Sequence, residues 1–253
     1  MRDRKNSVVK IDAAGVYYRE LNTALREAAS NGARKIELRN VHGQRYIGTD
    51  LDKPVEIEIF GTPGNDLGAF MNGPRISVHG NAQDGCGNTM NEGEIVVHGH
   101  AGDIIGLSAR GGRIFIKENV GYRAGIHMKE YQDKKPIVVI GGTAQDFLGE
   151  YMAGGILILL GLNLGEGESH KARFIGTGMH GGTIYLRGNV EEHQLGKEVG
   201  IHTELEEADY QCLRQFVGEF AAHFGYETEA ILEHKFLKLY PRWLRPYGRL
   251  YTY

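Results

Sequence analysis

A short apolar segment recurs seven times through the middle of the chain, and no other feature narrows its possible folds so far. The copies begin Ile57-Glu58-Ile59-Phe60, Ile76-Ser77-Val78-His79, Ile95-Val96-Val97-His98 and Ile114-Phe115-Ile116-Lys117. They continue as Ile137-Val138-Val139-Ile140, Ile156-Leu157-Ile158-Leu159 and Ile184-Tyr185-Leu186-Arg187. Isoleucine opens each copy, the third residue is always aliphatic, and the opening isoleucines lie 19, 19, 19, 23, 19 and 28 residues apart. A looser copy, Ile36-Glu37-Leu38-Arg39, stands 21 residues before Ile57.

A second signature keeps its own register between these segments. A glycine precedes a methionine by three at Gly68–Met71, Gly87–Met90, Gly125–Met128, Gly149–Met152 and Gly176–Met179, with Gly106–Ala109 as the variant copy. Asp66, Asp84, Asp103 and Asp146 stand two or three residues ahead of that glycine.

Alternation with period two puts the first and third residues of each segment on one face of a strand. A repeat near 19 residues is too short for a helix-pair unit of ~33 residues or a propeller blade of ~40, and the leucine-rich pattern is missing. It fits one coil of a solenoid whose strands stack in parallel on neighbouring copies. The predicted fold is all-β, a parallel β-helix of one strand per coil. Glycine makes up 37 of 253 residues, roughly twice ordinary usage. Tight coil corners call for that excess, because they need backbone conformations that side chains resist.

Solenoid ends expose core and strand edges, so both need covers. Asp12 is expected to cap a helix over 16–30, with Leu21, Leu25 and Ala28 inward and Asn31-Gly32 as its stop. A second amphipathic helix is expected over 204–223, carrying Leu213, Phe216, Val217 and Phe220, and a third over 227–239. The aromatic, proline-punctuated segment Tyr240 to Gly248 is read as a docking strap. The chain thus divides into an N-terminal helical cap over 1–34, the β-helix over 35–200, and a C-terminal helical cap with docking tail over 201–253.

A net charge of −3 gives no basic footprint for nucleic acid. The longest aliphatic run, Ile156 to Leu160, is far too short to span a membrane. Met1 to Lys10 is polar and charged, unlike a signal peptide. Cys86 and Cys212 show no metal-binding spacing and are read as two thiols in a reducing cytoplasm.

The motifs that could carry chemistry each have a structural reading. Gly176-Thr177-Gly178-Met179-His180-Gly181 matches GxGxxG, but a strand follows it where a dinucleotide site needs a helix. His79 and His98 share a repeat position and are expected to stack as a solvated, outward-facing ladder continued by Lys117 and Ile140, not as a metal site. The aspartates are read as Asx-turn acceptors of nearby backbone N–H groups rather than as a calcium column. Cys86 has no base beside it in sequence. No residue is assigned a catalytic, cofactor-binding or metal-binding role.

Coils such as Gly61-Thr62-Pro63-Gly64-Asn65-Asp66-Leu67-Gly68, together with the ending Phe236-Leu237-Lys238-Leu239-Tyr240-Pro241, resemble the GXGXG domain at the C-terminal end of the glutamate synthase large subunit. The resemblance runs from about Ile11 to Pro241. It implies a right-handed β-helix that bears no catalytic residue and sits between a glutaminase and an FMN- and iron–sulfur-containing synthase barrel. Those catalytic regions are not in this chain, so the implied role is a free-standing scaffold subunit, with a glutaminase subunit and an FMN-dependent synthase subunit as partners. The flavin and the cluster are then expected on the partners, and a second copy of the chain is a further possible partner. The same repeat occurs in one of the subunits of formylmethanofuran dehydrogenase, and parallel β-helices also act on carbohydrates, so both remain alternatives.

Overall fold

The computed structural model describes residues 8–165 and 167–243. Among the described residues eleven strands form one sheet in the order β1-β2-β3-β4-β5-β6-β7-β8-β9-β11-β10. The first nine are β1 Val8–Asp12, β2 Lys35–His42, β3 Glu56–Thr62, β4 Asn72–His79, β5 Glu92–Val97, β6 Arg113–Ile116, β7 Ile137–Ile140, β8 Ala153–Leu159 and β9 Gly181–Arg187. Neighbours among them pair in parallel, which is the stacking of a β-solenoid. The last two, β10 Val199–His202 and β11 Phe236–Pro241, pair antiparallel with each other, and β11 also pairs antiparallel with β9.

The inner face of the sheet carries two buried columns. One runs Ile36, Ile57, Ile76, Ile95, Ile114, Val138, Leu157 and Ile184, and the other Leu38, Ile59, Val78, Val97, Ile116, Ile140, Leu159 and Leu186. This corrects the repeat phase in two coils. Ile114 pairs with Val138, not Ile137, and Val138 pairs with Leu157, not Ile156. Ile137, Val139 and Ile158 therefore point out of the coil and join a second apolar cluster. The reason is physical: where both faces of a strand are apolar, periodicity no longer marks which face is inward.

The second cluster exists because a helix covers the outer face. Helix α2, Glu207–Phe224, lays Leu213, Phe216, Val217 and Phe220 on Val96, Phe115, Ile137, Val139, Ile158 and Tyr185. Tyr185 Oη donates to Asp209 Oδ1 at 2.6 Å, and Lys238 Nζ sits 2.7 Å from the same oxygen, fixing the start of α2 to β9 and β11. At its other end Gly225 closes the helix in the left-handed region, φ 74°, donating to the Ala221 carbonyl.

Helix α1, Tyr18–Ser30, buries Leu21, Leu25 and Ala29 against the first coil. It begins at Tyr18 without a side-chain cap. Asp12 instead accepts the Ala14 N–H and the Asn40 amide at the end of β1, a strand not anticipated from sequence. Helix α3 covers only Thr228–Leu232, and the helix expected over 227–239 gives way to β11. Phe236, Leu237 and Leu239 bury themselves on the two faces of the sheet, so strand pairing overrides helical spacing there. Residues 244–248 of the expected strap lie outside the described residues. Among the described residues no helix is long and apolar enough to cross a membrane.

Candidate functional site

Away from the sheet, each coil passes through a corner with a fixed backbone rhythm. Left-handed residues occur at the corner glycine and two positions to either side, as in Asp66/Gly68/Phe70, Ile104/Gly106/Ser108, Arg123/Gly125/His127 and Phe147/Gly149/Tyr151. The GXG doublets Gly85-Cys86-Gly87 and Gly176-Thr177-Gly178 are two members of the same triplet. The N–H groups of the outer members donate to the following coil, and that of the central glycine to the preceding one. Asp66 donates to the Asp84 carbonyl, Phe70 to Asn88 and Gly87 back to Leu67, at 2.8–2.9 Å. The turn side is thus a second hydrogen-bonded wall rather than a set of loops.

The central position needs glycine for space as well as for φ. A Cβ on Gly68 would lie 2.7 Å from Ile95 Cδ1 and 2.8 Å from Met71 Sδ, inside the core. The flanking positions tolerate side chains, several of them large, despite about 1–2 kcal/mol of left-handed strain each. Phe70 and Phe174 are 49% and 47% exposed, and Tyr46 and Tyr151 are also exposed. Phe147 and Phe174 stack across adjacent coils with centroids 4.9 Å apart, and the Arg123 guanidinium lies 4.7 Å over the Phe147 ring. His127 stacks on Tyr151 at 5.4 Å. Sequence reasoning missed these aromatic pairs, although their signal was present as a constant offset of two from the corner glycine.

The aspartate column also works between coils. Asp84 Oδ1 accepts the N–H of Asp103 at 2.9 Å, Asp103 Oδ1 that of Tyr122 at 2.8 Å, and Asp146 Oδ1 that of Arg173 at 2.9 Å. The acceptor role is as expected, but the donor lies a full coil away rather than in the local turn. Asp66 takes the Asn88 side-chain amide instead. Arg173 also grips Asp146, and its hydrogen bonds hold that carboxyl below its usual range. Asn81 and Asn119 repeat the device on the N–H groups of His100 and Thr143.

His79 and His98 stack at 5.2 Å as the repeat predicts. The column is not simply solvated: Phe60 stacks beneath His79 and Phe224 of α2 meets His98 edge-on. Glu58 bonds the His79 ring. Burial, followed by the nearby His79 and Lys117 charges, pushes His98 below its usual value. The column passes from Lys117 to Gly141, not Ile140, and the bare Gly141 leaves room for Phe220. Among the described residues no three His, Cys, Asp or Glu side chains are grouped to hold a metal ion.

Cys86 is fully buried, and burial pushes its thiol up to about 12, which leaves it unreactive at neutral pH. Cys212 is a free thiol beside Tyr185. The GxGxxG stretch opens β9, so its amides feed the stack and not a helix terminus.

The family model described as GXGXG motif matches residues 20–245. The uncharacterized protein MJ1350 of Methanocaldococcus jannaschii is 51% identical over 255 residues, covering 96% of each chain.

Proposed function

The chain belongs to the GXGXG motif family, and from that premise we propose that it is a structural subunit of a glutamate synthase-type complex. In this reading it holds a glutaminase subunit and an FMN-dependent synthase subunit in fixed relation while ammonia passes between them. Flavin and iron–sulfur chemistry belongs to the partners.

One observation carries the reading, the construction of the turn wall. Its backbone N–H groups bond from coil to coil, and Asp84, Asp103 and Asp146 are engaged in the same stitching. What the wall offers outward is aromatic side chains in two groups, the stacked pairs His127–Tyr151 and Phe147–Phe174 toward one end and Tyr46 and Phe70 toward the other. Rigid, solvent-facing aromatics suit a surface that positions other proteins.

The test is purification of the tagged chain at native abundance. The expected result is co-purification of a class II glutaminase and a flavin-containing synthase subunit, with no visible absorbance in the chain alone. Recovery without partners, with a bound chromophore or glycosidase activity, overturns the proposal. Co-purification of molybdopterin or tungsten subunits instead assigns the chain to a formylmethanofuran dehydrogenase-type complex.

A further inference from the structure

A groove of about 340 Å³ runs between α1 and the first coil corner, lined by Tyr18, Arg19, Asn22, Arg26, Tyr46 and Thr49 among others. Its walls are aromatic and cationic. Tyr18 packs 4.6 Å from Tyr17 and 5.7 Å from Tyr46, and the Arg19 and Arg45 guanidinium groups lie 5.8 and 5.6 Å from its ring centroid. Arg26 donates to the Thr49 carbonyl at 3.0 Å, and Arg19 Nε to the Tyr18 hydroxyl at 3.3 Å.

Among the described residues some arginines pair with carboxylates and others do not, Arg187 on the Leu160 carbonyl among the latter. Arg39, Arg75, Arg113, Arg123, Arg173 and Arg214 each hold a carboxylate. Arg19 and Arg26 line the groove and donate to neutral groups, Arg45 flanks it over the Tyr18 ring, and no carboxylate lines the groove. Two exposed arginines in the groove and a third at its edge thus stand without an ion pair among the described residues, on a chain of net charge −3. The first turn of α1 has no side-chain cap from Tyr17, but its N–H groups are faced by the charge of Glu20 in the same turn.

We infer that the Tyr18–Arg19–Arg26–Arg45 groove is a docking site for an acidic segment of a partner polypeptide, its carboxylates paired with the three guanidinium groups. Arginine forks match carboxylates in geometry as well as charge. A groove of this volume admits a few side chains of a peptide. The net negative charge of the rest of the chain disfavours a long nucleic acid, whose binding draws on an extended basic surface. The inference stands apart from the scaffold reading and does not need a particular complex.

The test uses the full chain and a fluorescein-labelled hexaglutamate peptide, with anisotropy read at low and physiological salt. The unmodified chain should bind with an affinity that falls as salt rises. The pair Arg26→Glu and Arg45→Glu should weaken binding about tenfold or more. Arg214→Glu, on α2, should leave it unchanged. Thermal melting checks that the variants fold, and the milder pair Arg26→Gln and Arg45→Gln replaces any that does not. Equal binding by the groove variants overturns the proposal. Displacement by hexathymidylate better than by unlabelled peptide also overturns it, in favour of nucleic acid, and equal displacement by inorganic phosphate overturns it in favour of a general anion site.

Discussion

Asp103 Oδ1 accepts the backbone N–H of Tyr122 at 2.8 Å, one coil further along the stack. The contact depends on Gly121, where a Cβ would collide with that oxygen. Aspartate and glycine are coupled in this coil as at Asp84 and Gly102, whereas beside Asp146 the same position is Ala172.

Gly121→Ala should destabilise the chain by about 1–3 kcal/mol through collision, and Asp103→Ala by about 0.5–1.5 kcal/mol through loss of an exposed hydrogen bond. The double variant should recover part of the sum, since removing the carboxylate relieves the collision. Urea denaturation of the four-member cycle measures this, and strict additivity would show that the two positions are independent.

The corner triplet separates glycine needed for space from a residue merely tolerating strain. Gly87→Ala should cost more than 2 kcal/mol or so, because φ is 72° and the new methyl would drive into Ile114. Ser108→Gly, at φ 53°, should be neutral or stabilising by up to about 1 kcal/mol as left-handed strain is released. Differential scanning calorimetry on both variants distinguishes the two outcomes.

Asp209 links α2 to the sheet through Tyr185 and Lys238. Burial raises its carboxyl, but the bonds from Lys238 and Tyr185 outweigh that and hold it below the usual range. The folded form therefore binds the proton less tightly than the unfolded form. Its stabilisation is complete above the ordinary carboxylate range and is lost as pH falls through the lowered folded value. Asp209→Asn should lower stability at pH 7 by about 3 kcal/mol and flatten the acid limb of the stability profile, read from melts between pH 3 and 7.

Ile95 and Ile137 lie on opposite faces, the first in the coil interior and the second under α2. Ile95→Asp should unfold the stack, whereas Ile137→Asp should release α2 and leave a β-rich core. Limited proteolysis with circular dichroism reads the difference, and global unfolding of both variants would contradict the assigned faces. His98→Ala, which loses only ring contacts with His79 and Phe224, should cost about 1 kcal/mol.

The solenoid was legible because its evidence is local and repeated. Where polar residues alternate with aliphatics, as in Arg75-Ile76-Ser77-Val78-His79, the inward face is unambiguous, and the pairing follows it. The aspartate column was legible as a set of acceptors, but the identity of the donor was not, because Tyr122 reaches Asp103 only through the stacking. The aromatic wall was written in the offset from the corner glycines and becomes meaningful only once those residues are seen to be left-handed.

Glycine spacing and an isoleucine in phase were enough to define the coil, since both follow from how a chain turns and which atoms avoid water. The phase of Ile137-Val138-Val139-Ile140 was settled only in three dimensions, where its outer face is apolar because α2 covers it. The same holds for Phe236 to Pro241, a strand because the open edge of β9 offers unpaired backbone groups that a helix would leave unmet. Local preference carries no record of such distant partners.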